Sequence, residues 1–230
     1  MKILKSSSDE SMTNKNKDLN NLPVLLEDLY KKVPNIAYGG CGAMAYLLWA
    51  YLKDRDIVSY VLKSNIQPYN DKLHYYNIYK MAGDCYIIDK TDIIREHYAT
   101  YIEYDIEILE TQAEILNDLK GVKWNEYFLI SDIPVIGEFL GVPSYHSDLL
   151  VWLRLAEIHG LNVPDATVLT GWQKGVLESY YNGTLGLWLH HTAQRNLGIV
   201  GSSYGSYIGK RCRVCASLYE KIKLNKKEEK

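Results

Sequence analysis

The chain has 230 residues, of which 47% are hydrophobic and 23% are charged, and its net charge is −2. This length suffices for one large domain or two small ones with a buried core. The near-neutral charge balance creates no field that would attract nucleic acid or an anionic membrane, so neither is expected as a partner.

No apolar run in the chain reaches the roughly 18 residues that a membrane span needs. The first ten residues lack the apolar stretch of a signal peptide. Free thiols in a reducing compartment are therefore expected, which indicates a cytoplasmic protein.

The chain has no nucleotide-binding glycine motif, and no cofactor is predicted. Its four cysteines are Cys41, Cys85, Cys212 and Cys215.

The first part of the chain predicts a tail followed by two helices and a strand. Residues 1–20 are polar and are predicted to be a disordered tail. Asn21 is predicted to cap a helix from 22 to 33 that has one apolar side. A second, strongly apolar helix is predicted from 42 to 54, and a strand rich in β-branched and aromatic residues from 57 to 62.

A β-hairpin is predicted next, with strands at 73–80 and 85–89 and a turn at 82–84. One register pairs Lys80 with Cys85. It puts Tyr76 opposite Asp89, and His74 lies one diagonal step away on the same face. A turn tighter by one residue at each end would pair His74 with Asp89 directly, whereas a one-residue slip would separate them.

The remaining elements predict an α+β domain followed by a mainly helical region. The domain spans 21–121 and packs helices on an antiparallel sheet; the mainly helical domain spans 122–225. The segment 124–140 shows no clear pattern. Further strands are predicted at 91–94 and within 98–109, and helices at 112–120, at 144 or 147 to 158, at 165–181, at 184–196 and at 212–224.

Cys41 stands where a nucleophile would be placed. Gly39 and Gly40 precede it, Gly42 follows it, and an apolar helical segment begins there. At the first turn of a helix, unpaired backbone N–H groups and the helix dipole favour a thiolate over a thiol. With His74 and Asp89 as neighbours on the hairpin, the chain contains a nucleophile, a base and a carboxylate that can orient the base.

Three pieces of the chain resemble the transglutaminase-like branch of the papain-like cysteine superfamily. They are the helix that opens on Cys41 and continues as Cys-x3-Ala-x-Leu-Leu, the strand that follows it, and the hairpin that carries His74-x-Tyr-Asn and ends at Asp89. The resemblance covers about residues 33 to 92. It implies acyl transfer through a cysteine thioester, with Cys41 as nucleophile, His74 as general base and acid, and Asp89 as the orienting carboxylate.

The resemblance also suggests a binding pocket, with some departures from the family pattern. Asn35 lies six residues before Cys41, the spacing at which papain-like enzymes keep an amide donor for the oxyanion hole, and Tyr38 is an alternative donor. Tyr76 occupies a pocket position where transglutaminases more often carry tryptophan. Asp89 is followed by lysine, whereas bacteriocin-processing peptidases have proline after the aspartate.

Several functions therefore stay open. The resemblance implies a peptidase or amidase that acts on a peptide or protein, and transfer of the acyl group to an amine is an alternative. A different alternative is a non-enzymatic assembly module that retains the fold and binds a partner through the C-terminal helices.

The Cys212-Arg-Val-Cys215 motif suggests a third function, that of a zinc-stabilised adaptor. No second such pair exists, and the adjacent His190 and His191 would point in different directions along a helix, so no metal site is predicted.

Overall fold

A computed structural model describes residues 19–65, 73–81, 84–89, 92–95, 106–120, 122, 127–159, 167–183 and 185. The chain forms two units that divide after Val168. In the first unit the elements are α1 (Leu22–Lys32), a 3₁₀ helix (Pro34–Tyr38), α2 (Cys41–Lys53), β1 (Ser59–Asn65), β2 (Leu73–Met81), β3 (Asp84–Asp89), β4 (Asp92–Arg95), β5 (Ile106–Leu109), α3 (Gln112–Leu119), α4 (Asp132–Leu140) and α5 (Ser144–His159). The second unit contains α6 (Gly171–Tyr181).

The strands form one antiparallel sheet in the order β4-β3-β2-β1-β5. Together with the helices, this sheet confirms the predicted α+β class. The hairpin has the first of the two predicted registers, because Lys80 pairs with Cys85 and Asn77 with Ile88. The next pair along this ladder would join Tyr76 and Asp89. β2 is the central strand, so the residues it carries are held from both sides.

Helix α2 lies between the sheet on one side and α4 and α5 on the other. Every residue from Gly42 to Leu52 is buried, which explains why this helix is apolar all round rather than on one stripe. Asn77 on β2 is 1% exposed, and its Nδ2 donates a hydrogen bond of 2.9 Å to the carbonyl oxygen of Ala45. This bond fixes α2, and with it Cys41, to the strand that carries His74.

Helix α4 lies in the segment where the sequence shows no clear pattern. Pro134 is in its first turn, where the missing N–H is tolerated. Gly137 stands in the middle of the helix because a Cβ atom at this position would collide with the Ser147 hydroxyl of α5. The close packing of α4 on α5 therefore depends on a residue that weakens the helical pattern in the sequence.

Side-chain caps decide where two helices begin. Thr111 forms a capping box with Glu114 at the start of α3, which agrees with the prediction for 112–120. Thr170 forms another with Gln173. The prediction of a helix from residue 165 is therefore wrong over 167–170, because this box starts α6 at Gly171. Asn21 precedes α1, but its side chain makes no capping hydrogen bond, so the predicted cap is also wrong.

Several predictions fall on residues outside the described ranges. They are the tail over 1–18, the turn residues 82 and 83, the helices at 184–196 and 212–224, the His190-His191 pair and the Cys212–Cys215 motif. Residues 19 and 20 of the predicted tail are helical, and Leu19 is 5% exposed. The predicted domain boundary at residue 121 stays a prediction. Among the described residues, no helix combines the length and the apolar character that crossing a bilayer requires.

Candidate active site

Cys41 is the first residue of α2, and the geometry of the two preceding glycines explains why they are there. Gly39 ends the 3₁₀ helix with φ of +111°, a left-handed conformation that favours glycine. A Cβ atom on Gly40 would lie 2.6 Å from the Phe128 ring and 2.9 Å from Cα of Ile36. Gly40 has no side chain to cap the helix, so the first N–H groups of α2 are left to stabilise a negative charge at its start.

His74 and Asp89 form the second part of the site. Nε2 of His74 lies 2.9 Å from Oδ1 of Asp89. Their side chains are 18% and 27% exposed, so the pair is largely shielded from water. The ring of Tyr76 stacks on the imidazole with a centroid distance of 5.6 Å. The imidazole is thus oriented by the carboxylate at one edge and supported by a buried aromatic ring on one face.

The charge state of His74 links all three predicted residues. Burial on its own would lower the pKa of His74, but hydrogen bonds to Asp89 and to Cys41, together with the negative charges of both, raise it to about 9. His74 therefore contacts Asp89 directly at 2.9 Å, and Cys41 lies near enough to raise the pKa of the same imidazole. With a pKa of about 9, the imidazole is protonated at neutral pH.

We expect the imidazole of His74 to titrate with a midpoint of about 9 when its Cε1–H signal is followed by NMR from pH 5 to 11. The buried His146 is the internal reference: burial lowers its pKa, against the opposite effect of Asp54, so it should titrate below the ordinary histidine value. A midpoint for His74 at or below 6.5 would contradict the arrangement of the site.

The raised pKa of His74 also makes the stability of the fold depend on pH. The pKa of His74 in the folded state lies above its unfolded value of 6.5, so the charged imidazole stabilises the fold fully below pH 6.5. This contribution, on the order of 1–3 kcal/mol, is lost as the pH rises through about 9. Urea unfolding of wild type and His74→Gln at pH 6 and pH 10 checks it, since the difference between the two proteins should shrink at the higher pH.

Tyr30 is a further group whose charge state is linked to the site, and no sequence motif singles it out. Burial raises the pKa of Tyr30, and the negative charges of Asp89 and Cys41 raise it further. Tyr30 lies on α1, one turn after the fully buried Leu26. That helical spacing was the one signal in the sequence that could have indicated an inward-facing side chain.

The three predicted pocket residues lie in different surroundings. Asn35 is half-buried in the 3₁₀ helix before Cys41, and Tyr38 ends that helix with 63% of its surface exposed. Their roles as oxyanion donors stay predictions. Tyr76 is 3% exposed and contacts the imidazole itself, which makes it a support for the base.

His146 has a structural environment. Its Nδ1 lies 2.8 Å from the hydroxyl oxygen of Tyr46, and Gln112 Nε2 donates to the same hydroxyl at 3.2 Å. If that hydroxyl accepts from Gln112, it donates its own proton to His146. His146 is thus a buried neutral ring that joins α5 to α2 and α3, and it is not a second base for Cys41.

Within the described ranges, no group of three or more histidine, cysteine, aspartate or glutamate side chains could hold a metal ion. Comparison of the chain with family models, with curated proteins and with solved structures finds no match.

Proposed function

We propose that this chain is a cysteine-dependent acyl-transfer enzyme with a transglutaminase-like domain, and that it acts as a thiol hydrolase on a peptide or carboxamide bond in a reducing, cytoplasmic environment. One observation carries the proposal. His74 is hydrogen-bonded to Asp89 on the neighbouring strand and is within reach of a thiol at the start of a helix. This arrangement supplies a nucleophile, a proton donor and acceptor, and an orienting carboxylate.

The first half-reaction forms a thioester. The pair starts as a thiolate and an imidazolium: the thiolate of Cys41 attacks the carbonyl carbon of the substrate, and the imidazolium of His74 donates its proton to the leaving amine as the carbon–nitrogen bond breaks. The raised pKa of His74 means that the proton is present at neutral pH. The amine departs, and the acyl group stays on the sulfur.

The second half-reaction releases the acyl group. Neutral His74 removes a proton from a water molecule, which attacks the thioester carbonyl and displaces the thiolate of Cys41. The products are a carboxylic acid and the original thiolate–imidazolium pair. An amine in place of water would give transfer instead of hydrolysis. Asp89 keeps the imidazole in one orientation through both half-reactions.

Competitive alkylation tests the proposal. Cys41 and Cys85 are both partly exposed and neither forms a disulfide, so Cys85 is a matched reference within the same molecule. With limiting iodoacetamide at pH 7, followed by peptide mapping, we expect Cys41 to react at least about tenfold faster than Cys85, because the thiolate is the reactive form. In His74→Ala this preference should disappear.

Equal, slow labelling of all four cysteines in the wild-type protein would contradict the enzyme and favour the assembly module. One observation supports that second function. Among the strands that the structure describes, β5 lies at one edge of the sheet, and two of its side chains, Ile106 and Ile108, are 38% and 57% exposed. An edge strand with exposed apolar side chains can pair with another chain. Sedimentation of the purified protein over a range of concentrations would then measure self-association directly.

A further inference from the structure

The ring of Tyr75 lies between β2, the strand that carries both Tyr75 and His74, and α2, the helix that begins at Cys41. It follows His74 on β2, and its side chain is 3% exposed. A Cβ atom placed on Gly42 would lie 3.5 Å from Cδ2 of the Tyr75 ring, so the ring packs directly on the residue that follows Cys41. The ring therefore sets how closely the start of α2 approaches β2.

The hydroxyl of Tyr75 is tied to a third element, α3. It donates a hydrogen bond of 2.5 Å to Oδ2 of Asp118, while Nζ of Lys63 donates one of 2.5 Å to Oδ1 of the same carboxylate. Lys63 pairs with Tyr75 across the β1–β2 ladder and also donates to Glu107 at 3.2 Å. Both oxygens of Asp118 are thus held, and its side chain is only 16% exposed.

Lys63 supplies the positive charge beside Asp118. Lys63 offsets the carboxylate of Asp118, which would otherwise be an uncompensated charge in a largely buried position. Burial raises the pKa of Tyr75, and so do the hydrogen bond to Asp118 and the negative charges of Asp118, Cys41 and Glu107. The phenol therefore keeps its proton and acts as a donor, and it lies near enough to feel the charge of the sulfur.

We propose that Tyr75 is a positioning residue for the site: anchored through its hydroxyl to Asp118 and Lys63 and packed through its ring on Gly42, it holds the sulfur of Cys41 at reacting distance from His74. The proposal rests on the proposed function, in which the sulfur and the imidazole must meet. None of the three side chains needs to touch the substrate. They act by fixing β2, α2 and α3 against one another at the place where the two reacting groups meet.

The test compares Tyr75→Phe with Tyr79→Phe. Tyr79 is a matched control because it lies on the same strand and the same face, is 3% exposed and stacks on Tyr86 at 5.2 Å. In Tyr75→Phe we expect alkylation of Cys41 at pH 7 to slow by about tenfold, as for a small displacement of a reacting group. The NMR midpoint of His74 should also fall, because its contact with the thiol weakens. Both readouts should stay at wild-type values in Tyr79→Phe.

A second variant covers the case in which Tyr75→Phe fails to fold. Lys63→Met combined with Asp118→Leu removes both charges together and leaves the Tyr75 hydroxyl without its acceptor. It should slow labelling of Cys41 and lower the His74 midpoint in the same way. Wild-type rates and midpoints in this variant and in Tyr75→Phe would overturn the proposal, and so would an equal loss in Tyr79→Phe.

If the chain is not a cysteine-dependent enzyme, the wild-type protein itself gives the answer, because its Cys41 then reacts with iodoacetamide no faster than Cys85. The His74 midpoint then still tests the positioning, because it reports the contact of the imidazole with the sulfur whether or not the pair performs chemistry. An unchanged midpoint in Tyr75→Phe would overturn the positioning role on its own.

Discussion

Replacing Asp89 by asparagine is expected to lower turnover of peptide p-nitroanilides by about 10²- to 10⁴-fold, the range that a positioned acid–base group supplies. The carboxylate accepts a hydrogen bond from Nε2 of His74 at 2.9 Å. The amide of asparagine can offer an N–H to that nitrogen instead, which turns the imidazole proton to the wrong side of the ring. The substitution keeps the shape of the side chain, so the loss would reflect the orientation and charge of the base.

The pH dependence of the same variant gives an independent readout. The hydrogen bond to Asp89 and its charge are two of the causes that raise the pKa of His74 against the effect of burial. Without them the NMR midpoint of His74 should fall well below 9. Asp84→Asn is the control, because it makes the same change at the first residue of the same strand, β3. A wild-type rate and midpoint in Asp89→Asn would contradict the proposed role.

The parts of the site that follow from local rules could be predicted from the sequence. The glycines before Cys41 indicate the start of a helix: Gly39 adopts a left-handed conformation, and Gly40 leaves room for the ring of Phe128. The hairpin follows from alternation and from a short turn, both of which lie within 17 residues of chain. Two registers stayed open in the sequence, and both of them place His74 near Asp89.

The parts that depend on contacts between distant segments could not be predicted. Tyr75 and Asp118 are 43 residues apart, and Lys63 and Asp118 are 55 apart, so no local sequence pattern predicts their hydrogen bonds. Tyr30 on α1 feels the charges of Asp89 and Cys41, which the amphipathic pattern of α1 does not specify. Helix α4 was missed for a related reason: Gly137 weakens the helical pattern for the sake of a contact with α5.

Helix α5 supports the helix that carries the nucleophile, and Trp152 is the largest fully buried side chain on it. Cores are packed without large voids, so truncating such a side chain loses both the transfer free energy of the removed atoms and the contacts around the cavity left behind. Because a domain of this kind is stable by only about 5–15 kcal/mol, one such cavity is a large part of the total.

Trp152→Ala is therefore expected to lower the free energy of unfolding by about 3–5 kcal/mol, measured by urea unfolding followed by circular dichroism. Trp172→Ala is the matched control, because Trp172 on α6 is 37% exposed and its truncation should cost only about 1 kcal/mol. A loss below about 1 kcal/mol for Trp152, or equal losses for the two variants, would contradict the burial of α5 in the core of the first unit. The result bears on the site as well, since α2 stays in place only while it is packed from both sides.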